Sequence, residues 1–351
     1  MINDKNLKQE GGQNSTNLQG QNVNIYNGIT YRDAKEIFQD LFISNFITLK
    51  YEAAEVAQQR AEEITEKFLN KLNEKSPESL QQFQEPAMQD ALFTTQKEYA
   101  KSGDTDLGDL LVDILVDRAQ ASTRNMVQLV LDEALKIAPS LTVEQLDTLT
   151  LIFLLIRTKS LNLRSFDDLK VMIQREIEPF VPNLSTENNL YSYLEFQRCG
   201  HIRTGSYGNL EDNWRRTYKG LFSKGMTIEE LEKLLGGPCQ FPSLIIHCFH
   251  NDALLQISAL DDQMLEQQME KFHVPNELKQ KYRQAFESST MNSTQIKELL
   301  LNTNKCFDKI FSVLSSSRFS NFELSFVGIA IAHANFRRRT GMTLDLSIWI
   351  K

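Results

Sequence analysis

The chain has 351 residues, of which 41% are hydrophobic and 24% are charged, and these values are typical of a globular protein. Its formal net charge of -8 argues against a general nucleic-acid binder, because such proteins are usually basic. The longest apolar run, from Leu149 to Ile156, is too short to span a bilayer, and the first residues lack the apolar core of a secretory signal. The composition therefore predicts a cytoplasmic protein that does not bind membranes.

The first thirty residues are rich in side-chain amides, and no charged residue occurs from Gly11 to Tyr31. Asn and Gln side chains form hydrogen-bonded ladders when identical strands stack, although a short isolated strand is marginal in water. The composition also fits a disordered linker. Because apolar and Asn residues alternate near position 24, we interpret residues 1–30 as a polar, β-prone oligomerisation segment. Its contacts are expected from Asn17, Leu18, Gln19, Gly20, Asn22, Val23, Asn24 and Ile25.

Beyond this segment, apolar residues recur at helical spacing and predict a helical domain over residues 31–180. Short connections between the helices favour packed, mostly antiparallel neighbours. Thr142 and Ser165 stand where N-caps are expected, with Gln145 and Asp168 three residues later. The predicted helices are 51–72, 86–101, 106–120, 122–137, 143–158 and 166–178.

A proline-containing stretch at 179–185 marks the start of a second, mostly helical domain over residues 181–351. Strands are expected within 241–249 and over 343–350, where apolar and polar residues alternate strictly. The predicted helices are one capped by Thr227 that ends near Gly236, then 261–271, 275–288, 293–315 and a buried helix over 322–336. The fold class is therefore mainly α, with an N-terminal β segment, a helical-bundle body and a C-terminal α+β portion with a small sheet.

Cysteines and histidines gather in one stretch of the second domain, at Cys239, His247, Cys248 and His250. Structural zinc sites usually pair their ligands at spacings of two to four residues, and this stretch does not follow that pattern. The four cysteines of the chain are far apart, which favours free thiols in a reducing compartment. The sequence therefore predicts no metal site.

An acidic row on one predicted helix comprises Asp106, Asp109, Asp113 and Asp117. Such a row can bind a divalent cation, but it is more often the solvated face of an amphipathic helix, which we expect here. The basic run 337–339 follows the predicted buried helix and suits the negative end of its dipole.

The sequence contains neither a phosphate-binding loop nor a dinucleotide fingerprint, and Ser206 does not lie in a nucleophile elbow. We therefore predict no catalytic residue and no cofactor. The alternative is an effector enzyme, such as a nuclease, that is activated by clustering. Its site would lie in the C-terminal half and would use His201, Arg203, His247, His250 and His333. We expect His333 to be a hydrogen-bonded polar group on a packed helix.

The run from Asn14 to Ile25 resembles a short N-terminal motif of bacterial proteins linked to stress and anti-phage immunity, and more distantly the RIP homotypic interaction motif. The second likeness is partial, because Gly20 follows Gln19 directly and one apolar position of the tetrad is missing. Almost the whole chain also resembles an uncharacterised bacterial family. The shared stretches are the N-terminal amide-rich tail, 97–100, 110–113, 328–335 and 345–350.

The amide-rich segment predicts a homo-oligomeric protein, and these resemblances imply a bacterial protein that acts as a scaffold, sensor or adaptor in anti-phage or stress defence. Its expected partner is a second copy of itself, and a neighbouring defence protein is a further candidate. The clustering-activated enzyme remains the alternative.

Overall fold

The computed structural model describes residues 30–45, 51–121, 124–205 and 208–351. All of the predicted oligomerisation residues, from Asn17 to Ile25, lie outside the described residues. Helices dominate the described chain, and two antiparallel sheets of two strands each accompany them. The predicted class, mainly α with a small sheet, is confirmed. None of the described helices is both long and apolar enough to cross a membrane.

Within the described residues, eight α-helices precede the first strand. They are α1 (Tyr31–Asn45), α2 (Tyr51–Lys75), α3 (Pro86–Ser102), α4 (Thr105–Gln120), α5 (Met126–Ile137), α6 (Val143–Ile152), α7 (Phe166–Met172) and α8 (Asn188–Phe196). A π-helical turn extends α6 to Arg157, and another extends α7 to Ile177. The predicted capping boxes are present at Thr142 and Ser165, each of which accepts a hydrogen bond from the backbone three residues later.

The second half mixes short strands with helices. The elements are β1 (Gly200–Ile202), α9 (Leu210–Thr217), α10 (Ile228–Leu235), β2 (Ile245–Cys248), β3 (Asn251–Ile257), α11 (Asp262–Lys271), α12 (Asn276–Ser288), α13 (Ser293–Thr303), α14 (Cys306–Ser316), β4 (Phe322–Leu324) and α15 (Phe326–Thr340). Strands β2 and β3 form a hairpin. Strand β2 lies within the stretch 241–249 where a strand was predicted, whereas β3 was not predicted. Strand β1 pairs with the distant β4, with Gly200 opposite Leu324.

The predicted strand at 343–350 is wrong. Residues Leu346–Ile348 form a 3₁₀ turn, which Asp345 caps by accepting a hydrogen bond from the Ser347 backbone. The alternating apolar residues do not share one buried face, because Ile350 is buried while Ile348 is 61% exposed. Trp349 fixes the turn instead, with its ring 4.8 Å from that of Phe153.

One predicted helix is interrupted, and another is replaced in part by a strand. The helix at 293–315 is divided into α13 and α14, because the Asn304 side chain accepts a hydrogen bond from the Cys306 backbone and forms a turn there. The helix at 322–336 begins later, since Phe322–Leu324 is strand β4. Ser325 caps α15 by accepting from the Gly328 backbone.

The main hydrophobic core extends from Ala34 in α1 to Ile350 near the end of the chain. A smaller core lies between Met226 and Phe286, around the β2–β3 hairpin and its neighbouring helices. The division into domains at residue 180 stays a prediction, and the main core draws side chains from both sides of that position. Helix α15 packs against α4, α5 and α6, and so joins the end of the chain to the first helices.

Candidate functional site

The acidic row of α4 meets the basic run of α15 in the interior of the protein. Arg337 donates from Nε to Asp113 Oδ1 at 3.0 Å and from Nη1 to Asp117 Oδ1 at 2.6 Å. Its Nη2 donates to the backbone oxygen of Asp113 at 2.7 Å. Lys71 of α2 adds a second cation, with its Nζ 2.9 Å from Asp113 Oδ1. Three helices are therefore tied together through one carboxylate.

Burial makes these contacts energetically important. The Asp113 side chain is 1% exposed and that of Arg337 is 7% exposed. Burial alone disfavours a charged guanidinium, but Asp117 and Asp113 together hold the pKa of Arg337 above its ordinary value. Because a buried charge without a counter-charge is very costly, each partner requires the other.

A second polar network lies between α15 and α6. The fully buried Asp147 accepts from Arg339 Nη1 at 2.6 Å, from Asn183 Nδ2 at 2.7 Å and from Asn335 Nδ2 at 3.1 Å. Arg339 also donates to the Pro179 oxygen. These bonds fix the carboxyl-terminal half of α15 against α6.

The structure corrects the interpretation of both motifs. The row on α4 is not a uniformly solvated face, because Asp113 is buried and Asp117 half-buried beneath Arg337, while Asp106 is 69% exposed and pairs with Arg338. The basic run does more than oppose a helix dipole, since each of its three arginines pairs with a carboxylate of α4 or α6.

A cavity of about 620 Å³ adjoins this cluster. Charged and polar side chains form much of its wall, and the segment after α15 closes one side. The lining residues are Lys75, Asp117, Gln120, Ala121, Asn125, Val127, His333, Arg337, Thr343, Leu344, Asp345, Leu346 and Ser347. The cavity therefore lies where α2, α4, α5 and α15 converge.

His333 is the most buried titratable group of the cavity wall, with its side chain 2% exposed. Its Nε2 lies 2.9 Å from the Leu344 oxygen, so that nitrogen carries the proton and donates it. Its Nδ1 has no hydrogen-bond partner and lies 3.9 Å from Asp117 Oδ2. Burial lowers the pKa of His333, which favours the neutral ring.

The other histidines considered for an enzyme site have different partners. His201 and Arg203 both approach Glu323 Oε2, at 3.5 Å and 3.4 Å. His247 contacts the backbone oxygen of Asp252. His250 contacts the Leu221 oxygen and packs against the Phe166 ring. The proposed enzyme site thus has no common set of contacts to support it, and it stays a prediction.

The cysteines of the 239–250 stretch also contact different residues. Cys239 Sγ lies 3.6 Å from the Tyr282 hydroxyl, whereas Cys248 Sγ contacts the Ser223 oxygen. Within the described part of the chain, no group of three or more His, Cys, Asp or Glu residues is arranged to hold a metal.

Sequence reasoning identified Asp117, His333 and Arg337 but did not bring them together. It missed Lys75, Asn125 and Ser347 as cavity residues, because each is a common surface residue with no motif around it. The lysine at the end of α2 and the turn after α15 become neighbours only through tertiary packing.

Comparison with known proteins gives one match. The model of an uncharacterised protein family matches residues 28–350, which include the main core, the smaller core and the cavity. No curated protein and no solved structure matches the chain.

Proposed function

We propose that this chain, which belongs to that uncharacterised family, is a homo-oligomeric assembly protein whose N-terminal segment joins the subunits. In this proposal the helical body stands outside a shared centre and acts as a scaffold, sensor or adaptor. The observation that carries the proposal is that the helical body has a continuous core of its own, to which an uncharged amide-rich segment is attached.

The junction between the two parts supports this division. Thr30 accepts a hydrogen bond from the Asp33 backbone, and the Asp33 carboxylate accepts from both the backbone and the hydroxyl of Thr30. These bonds form a reciprocal cap at the start of α1. The buried core begins four residues later, at Ala34. The family match begins at residue 28, so the amide-rich sequence precedes the matched region.

The chemistry of the segment favours pairing between copies. Identical strands in register place each Asn and Gln beside its own copy, so their amides can form continuous hydrogen-bonded ladders. Val23 and Ile25 would then form the apolar seam. Bonds between subunits would satisfy backbone groups that a single short strand leaves exposed to water.

We propose a biological setting in bacterial stress or anti-phage defence. It depends on the resemblance of residues 14–25 to the motif found on bacterial proteins of stress and anti-phage immunity. A bacterial host expressing the protein should therefore resist at least one phage, and the resistance should disappear when assembly is abolished. Equal plaque counts with and without the protein, across a broad phage panel, would contradict this setting.

Assembly is tested by adding charge to the seam. The double variant Val23→Asp and Ile25→Asp places like charges next to each other in every stacked pair, which should disrupt the ladder. We expect multi-angle light scattering to show the mass of several chains for the wild type and of one chain for the variant.

The control places the same number of negative charges earlier in the segment, in the double variant Gln13→Glu and Asn14→Asp. This variant should retain the wild-type mass, because the two positions precede the proposed contacts. A wild-type mass of one chain, or an unchanged mass in the seam variant, would contradict the proposal.

A further inference from the structure

The cavity beside Arg337 has a wall whose charges are balanced. Its volume of about 620 Å³ lies within the range of small-molecule sites, which is roughly 300–1,000 Å³. The wall contains two cations, Lys75 and Arg337, and two carboxylates, Asp117 and Asp345. Burial lowers the pKa of His333, which also lines the cavity, and favours its neutral form. The wall therefore has no excess of either charge and suits a ligand without net charge.

Two of the four charged groups have no ionic partner within the described part of the chain. Arg337 pairs with Asp117 and with Asp113 behind the wall. Lys75 and Asp345 form no ion pair with a described residue. A ligand with a single charge would pair with one of these two groups and leave the other unpaired. A ligand that carries both a carboxylate and an ammonium group would pair with both.

The register of two helices places Lys75 opposite Asp117. Ion pairs connect α2 to α4 at intervals of four residues along both helices, which is the spacing of one helix face. The pairs are Lys67 Nζ with Asp109 Oδ1 at 3.1 Å and Lys71 Nζ with Asp113 Oδ1 at 2.9 Å. The next pair in this series would join Lys75 to Asp117, but Asp117 pairs with Arg337 instead, at 2.6 Å. Lys75 therefore lies at the cavity with its expected partner already engaged.

Asp345 lies on another side of the cavity, in the segment after α15. His333 anchors this segment, because its Nε2 donates to the Leu344 oxygen at 2.9 Å. Hydrogen bonds from Ser347 lower the pKa of Asp345, so its carboxylate is ionised at neutral pH. His333 and Arg337 are one turn apart on α15, which is about 6 Å along the axis. Asp345 is thus held near His333, whereas Lys75 lies at the level of Asp117 and Arg337.

Uncharged groups complete the wall. Asn125 uses its side-chain oxygen to cap α5 by accepting from the Gln128 backbone, which leaves its amide N–H groups available. Gln120 adds a side-chain amide that can both donate and accept, and Val127 and Leu346 add apolar surface. Donors, acceptors and apolar groups are what a peptide, with its N–H and C=O groups and its side chains, requires of a site.

We propose that this cavity binds a short peptide of two or three residues with free termini, whose carboxylate pairs with Lys75 and whose ammonium group pairs with Asp345. An amino acid carries both charges on one carbon, whereas a peptide separates them by about 3.3–3.6 Å per residue. This length suits two partners that are anchored about one helical turn apart. Partial burial and the nearby Arg337 lower the pKa of Lys75, and a bound carboxylate would favour its charged form again.

The test uses isothermal titration calorimetry on the full chain with triglycine, trialanine, trileucine and free alanine. We expect at least one tripeptide to bind more tightly than alanine. Its N-acetylated form and its C-terminal amide should each bind at least tenfold more weakly, because each lacks one terminal charge. Failure of all three tripeptides to bind at millimolar concentration would overturn the proposal. Equal binding of alanine, or of either blocked form, would also overturn it.

Two variants assign each terminus to its partner. Lys75→Gln retains a polar side chain without the charge, and Asp345→Asn can still cap the turn through its side-chain oxygen. Each should weaken binding of the free tripeptide at least tenfold. In Lys75→Gln, amidation of the peptide should cause no further loss, and in Asp345→Asn, acetylation should cause none. Variants that respond to both blocked peptides as the wild type does would overturn the assignment.

The matched controls are Lys233→Gln and Asp104→Asn. Lys233 is an exposed lysine in the last turn of α10, as Lys75 is in the last turn of α2. Asp104 is an exposed cap of α4, and neither control residue lines the cavity. Both controls should leave peptide affinity unaltered. Since ligand binding and subunit mass are measured separately, failure of this inference leaves the assembly proposal intact, and the reverse is also true.

Discussion

At the scale of single residues, the most consequential contact joins Arg337 to Asp113 and Asp117. The sequence reveals both charged motifs, but Arg337 and Asp113 are 224 residues apart, and nothing in their spacing indicates that they meet. Like the cavity that adjoins it, this pair is a product of tertiary packing. The local chemistry of each residue was predictable, whereas its partner was not.

Removing the guanidinium tests the importance of this contact. Arg337→Met retains much of the side-chain volume but leaves the buried Asp113 and the half-buried Asp117 with fewer counter-charges, so we expect a loss of about 3–5 kcal/mol in the free energy of unfolding. Urea denaturation measures this loss. The control is Arg283→Met, which removes the exposed pair with Glu266 and should cost much less. Equal losses in the two variants would contradict the structural role of Arg337.

His333 predicts how stability depends on pH. Burial lowers the pKa of His333 in the folded protein, and it also lowers that of His250. As the pH falls below the ordinary histidine pKa of about 6.5, the unfolded chain therefore binds protons more readily than the folded chain. The free energy of unfolding should fall with pH in this range, by at most about 1.4 kcal/mol per pH unit for each group.

This dependence can be assigned by substitution. His333→Gln removes one of the two groups, so the loss of stability between about pH 7.5 and about pH 5.5 should become smaller. The control is His273→Asn, at an exposed position whose φ of 53° suits asparagine. Urea denaturation at both pH values measures the effect. An unchanged pH dependence in His333→Gln would contradict the contribution of His333 to the pH dependence of stability.

At the scale of elements, local signals predicted most of the helices. The capping boxes at Thr142, Ser165 and Thr227 depend only on neighbouring residues, and all three are present. The alternation at 343–350 was misleading, because a strand also requires a partner and a shared buried face. Packing against α15 and Phe153 determined the conformation of this segment instead.

Gly328 shows how closely α15 approaches Cys199, the residue before β1. A Cβ at this position would lie 1.9 Å from the backbone oxygen of Cys199. Alanine is normally the better helix residue, by about 1 kcal/mol. At this position we expect Gly328→Ala to reduce the free energy of unfolding by about 1–3 kcal/mol, because the backbone must shift.

The control for this prediction is Gly205→Ala, where a Cβ meets nothing within 4 Å. Gly205→Ala should leave the free energy of unfolding, measured by urea denaturation for both variants, nearly unchanged. A rise in stability for Gly328→Ala would mean that helix propensity outweighs the steric conflict and that α15 is less closely packed than described.

At the scale of the whole molecule, one core unites the first helices with α15, while the amide-rich sequence precedes the family match. The mainly helical class followed from hydrophobic periodicity. Periodicity could not predict that the main core extends across residue 180, because this depends on contacts between distant segments. Association between subunits is the property that the amide-rich sequence predicts most distinctly.

The central claim is tested most directly by removing residues 1–28 and measuring mass by light scattering. We expect the full chain to have the mass of several subunits and the truncated chain the mass of one, with its helical circular dichroism retained because the main core begins at Ala34. An oligomeric mass that survives the truncation, or a full chain that is already monomeric, would contradict the account.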